Sequence, residues 1–286
     1  MRVPRAARWA GSGVVLAALT INGAAPALAV SYDCTPCERY CYAGQASNIT
    51  TVSGITGYIT DPSATDLHGR SGPNQDHVVL WSGIVESTPS GKQCGADLGV
   101  CWEQTGVGEG YVGTPTVHAD NTTGSYQAFY ENAGPGTWYQ VAFFAHSQIP
   151  ISQGSSYNAE VAYDGMNGHL GEPQYKAFVN GFQTGAGEIY SKSGYAESNT
   201  EVRTSSSDCP TLTSGSPWQN FGTDSGGTAN SNNEMHLGSG YPVSYSLWTG
   251  NPTVLSNNDG STGPFYYAKL DGPSAFRTNG PSSGPA

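Results

Sequence analysis

Two stretches of this chain have residue types that could do chemistry: Trp102-Glu103-Gln104-Thr105-Gly106 and, about a hundred residues later, Ala196-Glu197-Ser198-Asn199-Thr200-Glu201. Both read as β-strand interrupted by small and polar residues, and each interruption holds a side chain able to seat a water or polarise a carbonyl. They suggest a Gln/Glu pair on one sheet face. By two-residue alternation Trp102, Gln104 and Gly106 share one face of their strand, while Cys101, Glu103 and Thr105 share the other. If Gln104 faces a cleft, Glu103 therefore points away from it. Glu197 and Glu201 also share a face, but four residues separate their backbones by roughly 13 Å, too far for a glycosidase carboxylate pair unless the side chains lean together. Glu131 could supply a second carboxylate from another strand. The plain alternative for all of them is a polar, solvated sheet face.

Other chemistries lack their parts. Asp224-Ser225-Gly226-Gly227 is similar to the loop around a trypsin-type serine, yet no histidine sits in the Ala-His-Cys setting that such a nucleophile needs. There is no HExxH pair or phosphate loop. The Cys34/Cys37 spacing has no second pair to complete a zinc site, so neither metal nor cofactor is expected.

The elements that must position these residues are short strands. Apolar alternation bounded by Gly, Pro, Asn and Asp turns predicts strands over 52–60, 78–85, 126–131, 138–145, 157–163, 175–179, 188–191, 195–204, 241–248 and 265–270. The chain holds 39 glycines and 17 tyrosines with 12% charged residues, and no helical period follows its first thirty residues. This predicts an all-β, two-sheet antiparallel β-sandwich built as one domain. Its expected limits are a sandwich over 47–271, a cysteine-bearing arm over 30–46 and a flexible tail over 272–286.

Residues 1–29 read as an export signal: Arg2, Arg5 and Arg8 precede an apolar run through Val14, Val15, Leu16 and Leu19 that ends in Ala27-Leu28-Ala29. A secreted, extracellular product is expected. Cys34, Cys37, Cys41, Cys94, Cys101 and Cys209 all follow that signal, and an even number in an exported chain predicts disulfides. Cys94 and Cys101 bracket a Gly-containing loop and form the expected local bridge, which leaves Cys209 to reach back to the Cys34/Cys37/Cys41 group. Three of the eleven basic residues lie in the signal and none of the 22 acidic ones, so what remains is strongly acidic. Such a charge argues against nucleic acid and anionic membranes as partners.

The chain resembles the eqolisins, the glutamic peptidase family of scytalidoglutamic and aspergilloglutamic peptidase. Residues 51–63 resemble their "SVSGTFTVPS" strand, Val79-Leu80-Trp81-Ser82-Gly83-Ile84 their "AWVGID", and Gln104-Thr105-Gly106 their "LQTG". Tyr126-Gln127-Ala128-Phe129-Tyr130-Glu131 is similar to "YDAWYEW", residues 151–155 to "ISPGD", residues 216–222 to "VPFANFG", and Ala196 to Glu201 to "AEWIVE". These motifs run in order over residues 48–270. The resemblance implies a concanavalin A-like jelly roll, an acid-acting secreted endopeptidase and protein or peptide substrates, here for an expected monomer.

It also implies roles: Gln104 as donor to the oxyanion, Glu201 as the acid/base that takes a proton from the attacking water, and Trp81 and Glu131 as cleft residues. Gln104 and Glu201 should then approach within roughly 3 to 6 Å, or one water. The chain departs from the family pattern at Val85, where an aspartate is usual, at Asn132, where a tryptophan is usual, and at Ser198-Asn199-Thr200, which replace an apolar triplet.

Overall fold

The computed structural model describes residues 40–60, 77–95, 99–110, 126–152, 155–168, 171–192, 194–203, 219–222, 234–249, 253–256, 267–272 and 274–279. Residues 1–29, Cys34, Cys37, Cys209, the Cys41 side chain and the Asp224–Gly227 loop, all singled out above, lie outside these described residues. The elements are β1 (Tyr40–Ala46), β2 (Gly54–Thr60), β3 (His77–Ser87), β4 (Val100–Gly110), β5 (Gln127–Ala133), β6 (Tyr139–Phe144), β7 (Ser156–Gly165) and β8 (Gln174–Val179). They continue with β9 (Phe182–Glu188), β10 (Tyr195–Arg203), β11 (Gln219–Phe221), β12 (His236–Ser239), β13 (Ser244–Leu247), β14 (Thr253–Ser256), β15 (Tyr267–Gly272) and β16 (Ala275–Asn279). Every pairing among them is antiparallel.

One sheet runs β14-β1-β10-β3-β4-β5-β6 and the other β15-β16-β11-β2-β7-β8-β9, with β12 beside β2 and β13 beside β12. Their inner faces meet in a core that includes Ile55, Ile59, Leu80, Ile84, Val107, Tyr157, Val161, Tyr175 and Phe221. The expected two-sheet antiparallel sandwich is what forms. Alternation explains it strand by strand: β7 and β8 expose every second residue partly and bury the one between.

Three expectations about extent are corrected. Tyr40–Ala46, assigned to an arm, is β1, an interior strand of the first sheet that pairs with β10 from Tyr40↔Arg203 to Ala46↔Glu197 and with β14 on its other edge. Ala275–Asn279, assigned to a tail, is β16, which pairs with both β15 and β11. The strand predicted over 188–191 is instead β9, ending at Glu188, because Gly185 and Gly187 erase the apolar alternation that would have marked it. The Cys94–Cys101 disulfide forms as expected, with Cα atoms 5.2 Å apart, and closes the β3–β4 connection.

Those β9 glycines admit a polar group into the sandwich. A Cβ on Gly187 would collide with Glu103 and Asn132 and stand 2.6 Å from the Tyr130 hydroxyl, while one on Gly185 would enter the Tyr130 ring. In that space Glu103, fully buried, accepts a hydrogen bond of 3.1 Å from Tyr130 Oη. Thr105 Oγ1 donates 2.7 Å to the Phe129 carbonyl and lies 2.8 Å from Thr184 Oγ1, linking β4 to β9.

Burial holds the Glu103 pKa well above its ordinary value, and its hydrogen bonds to Tyr130 and Gly187 offset only part of the rise. The native state therefore keeps this proton to higher pH than the unfolded chain does. The stability it contributes is complete below the unfolded value of about 4.3 and is lost as pH rises through the native value. Glu103→Gln, a near-isosteric neutral side chain, should flatten the fall of the thermal midpoint between pH 4 and 8. Parallel midpoint-against-pH curves for the two proteins would show that Glu103 is not the group responsible.

Candidate active site

The side chains with chemical potential lie on the other face of the first sheet, turned away from the second. Register sets them in rows across the strands. One row runs Ala46, Glu197, Gly83, Gln104, Glu131 and Val141 from β1 to β6; the next runs Gly44, Asn199, Trp81, Gly106, Phe129 and Phe143. Tyr42, Glu201, Val79 and Gly108 form a third. Apolar neighbours Val79, Trp81, Val85 and Phe129 form their own cluster on this face, with Trp102, Val141, Phe143 and Tyr195 packed on it. This second, smaller cluster is the floor on which the polar groups stand.

Gln104 is held at one end of its row. Its Nε2 donates to Glu131 Oε2 at 2.6 Å, and Glu131 Oε1 accepts a short hydrogen bond from the Tyr139 hydroxyl. A carboxylate only accepts, so this contact turns the amide nitrogen toward Glu131 and leaves its second N–H and the amide oxygen free to face the row. Gln104 and Glu131 are 4% and 6% exposed, which makes the arrangement rigid. Tyr139 carries no signal in its own sequence context; only the β5–β6 pairing, with Val141 opposite Glu131, brings it here.

Gly83 stands between Gln104 and Glu197 and leaves the space above it clear. A Cβ there would sit 2.7 Å from the Glu103 carbonyl and 2.9 Å from Gln104 Cβ. Neighbouring strands are about 4.8 Å apart, so Gln104 and Glu197, two strands apart and level, have backbones about 10 Å apart. Glu201 is four residues further along β10, opposite Val79 and Gly108, which places its backbone roughly 16 Å from that of Gln104. The structure thus brings Gln104, Glu131, Trp81 and Glu201 to one face, and sets Glu197 level with Gln104. Glu103 points into the sandwich, as alternation requires.

Glu197 is half-buried, and burial pushes its carboxyl up to about 7. The adjacent Asn199 amide pulls the other way and the Glu201 charge raises it further. Asn199 is fully buried over Gly44, where no Cβ could fit beside its amide oxygen. Its amide atoms and the neighbouring Trp81 indole N–H have no hydrogen-bond partner of good geometry. Among the described residues no group of three or more His, Cys, Asp or Glu is arranged to hold a metal. A cavity of about 500 Å³ lies along edge strand β6, lined by Tyr139, Val141, Tyr130, Thr184 and Gly185, at the Val141 end of the Gln104 row and on the far side of Gln104 from Glu197.

No family model matches the sequence, and no curated protein matches it. Solved structures similar to the chain include a scytalido-glutamic peptidase with a peptide-based transition-state analogue, at 15% identity and a TM-score of 0.42, covering 84% of this chain and 98% of that one. SCP-B, a member of the eqolisin family of peptidases in complex with the tripeptide Ala-Ile-His, is similar at 14% identity and a TM-score of 0.38, over 84% and 98%. A kappa-carrageenase from Pseudoalteromonas carrageenovora, with an oligotetrasaccharide of kappa-carrageenan, is similar at 7% identity and a TM-score of 0.27, over 60% of this chain and 58% of that one.

Proposed function

We propose that the protein is an exported hydrolase that cleaves peptide bonds by direct attack of water, without a covalent intermediate. The observation that carries this reading is the Gln104 amide, oriented by Glu131 and Tyr139 and facing a carboxyl-bearing strand across a glycine gap. A scissile carbonyl placed over Gly83 would take a hydrogen bond from Gln104 Nε2 as negative charge develops on its oxygen. A glutamate on β10 would take the proton of the attacking water and return it to the departing amine. The resemblance gives this role to Glu201. An amide donor is neutral at every pH, so the carrying carboxyl alone sets how far into acid the activity extends: the rate falls once that group is protonated.

A glycoside hydrolase built on Glu201 and Glu131 fits less well. Three strand spacings and four residues separate them by roughly 19 Å at the backbone, against about 5 to 9.5 Å between working carboxyl groups. Both Glu131 oxygens are moreover occupied by Gln104 and Tyr139.

The test is incubation of the purified protein with a denatured protein substrate from pH 2 to 9, with and without chelator, reading new peptide termini by mass spectrometry. Metal-independent cleavage is expected. Absence of cleavage at every pH, together with glycan binding or sugar release, would replace this reading with a carbohydrate-directed one.

A further inference from the structure

The row that holds Gln104 contains one carboxyl besides Glu131, and it belongs to Glu197. Glu131 is committed to orienting the amide, while Glu201 lies two rows away. A glutamate or glutamine side chain reaches about 4 to 5 Å from its Cα. Standing side by side over a gap of about 10 Å, Gln104 and Glu197 leave room for a carbonyl group and one water between them. From Glu201 the same alignment would require both side chains to lie flat along the sheet, across Asn199 and Trp81. We propose that Glu197, rather than Glu201, is the catalytic carboxyl that works with Gln104.

This assignment rests on the hydrolase reading above and names its proton carrier. Glu197, as carboxylate, accepts a proton from water while the water oxygen bonds to the carbonyl carbon and the carbonyl π electrons move to oxygen, against the Gln104 N–H. The Glu197 carboxylic acid then gives that proton to the amide nitrogen as the C–N bond breaks and the oxyanion re-forms the carbonyl. The products are a carboxylic acid and an amine, and Glu197 is again a carboxylate. No co-reactant other than water is consumed.

Few groups face Glu197. Tyr195, Asn199 and Glu201 lie on its own strand, Trp81, Gly83 and Val85 on β3, and Gly44 and Ala46 on β1, with Tyr42 at the register position opposite Glu201. Of these Glu201 is the one charged neighbour named among the causes of its raised proton affinity. As the base, Glu197 must be ionised, so kcat/KM should rise with pH and level off above about 7. Removing the Glu201 charge should move that limb to lower pH.

The experiment compares pH profiles of kcat/KM for the unaltered protein, Glu197→Gln, Glu197→Asp and Glu201→Gln on one peptide, with thermal unfolding of each to confirm folding. Glu197→Gln should lose about 10² to 10⁴-fold; Glu197→Asp should keep a limb on a lowered plateau, and Glu201→Gln should show its limb shifted to acid. Full loss in Glu201→Gln together with activity in Glu197→Gln would overturn the assignment and leave the peptidase reading intact. No hydrolysis by the unaltered protein at any pH would overturn both.

Discussion

Gln104→Ala should lower kcat by about 10² to 10³-fold while changing KM little. The amide would serve the oxyanion of the transition state far more than the neutral carbonyl of the bound substrate, and loss of one such donor typically has this size. The fold should tolerate the change, since Gln104 touches the site face and not the inter-sheet core. Gln104→Glu is a sharper probe of the same idea. It would set a second carboxyl against Glu131 where the amide now sits at 2.6 Å, and two such groups share one proton rather than both ionising. That pair would offer the oxyanion a donor only while protonated, so the variant's residual activity should fall at high pH, where that of the unaltered protein levels off. Retention of more than a tenth of kcat in Gln104→Ala would remove this residue from the reaction.

A large loss of stability should follow Gly187→Ala. Its Cβ would stand 2.6 Å from the Tyr130 hydroxyl and collide with both Glu103 and Asn132, all fixed inside the sandwich. Overpacking of this kind typically costs about 1 to 3 kcal/mol, and each kcal/mol lowers the thermal midpoint by about 2 to 4 °C in a domain of this size. Shortening Glu103 to Ser in the same chain should recover part of the loss, a coupling that independent sites would not show. A midpoint unchanged by Gly187→Ala would mean that β9 does not lie against β4 and β5 as described.

Much of the sandwich is legible in apolar alternation, as at β2, β3, β5, β7 and β8, where one face is core and the other is not. What alternation conveys is facing, and it separates Gln104 from Glu103 correctly. It does not convey register, because the row in which Gln104 sits depends on how many residues the β3–β4 hairpin spends in its disulfide-closed turn. β1 and β16 were hidden for another reason: the first lies in a cysteine-bearing stretch and the second after a Gly-Pro break, both of which read as chain ends rather than as strands. Tyr139 was hidden because its partner, Glu131, is on a neighbouring strand.

The buried carboxyls also have a stoichiometric consequence. Burial raises Glu86, which accepts hydrogen bonds from Ser191, Glu103 between the sheets, and Glu197 on the site face. Between their unfolded values and their native ones, the folded chain holds protons that the unfolded chain has surrendered. Denaturation near pH 6 in weak buffer should therefore acidify the solution, and folding of the chain should draw protons from its surroundings. An indicator dye that follows the melting transition would count them.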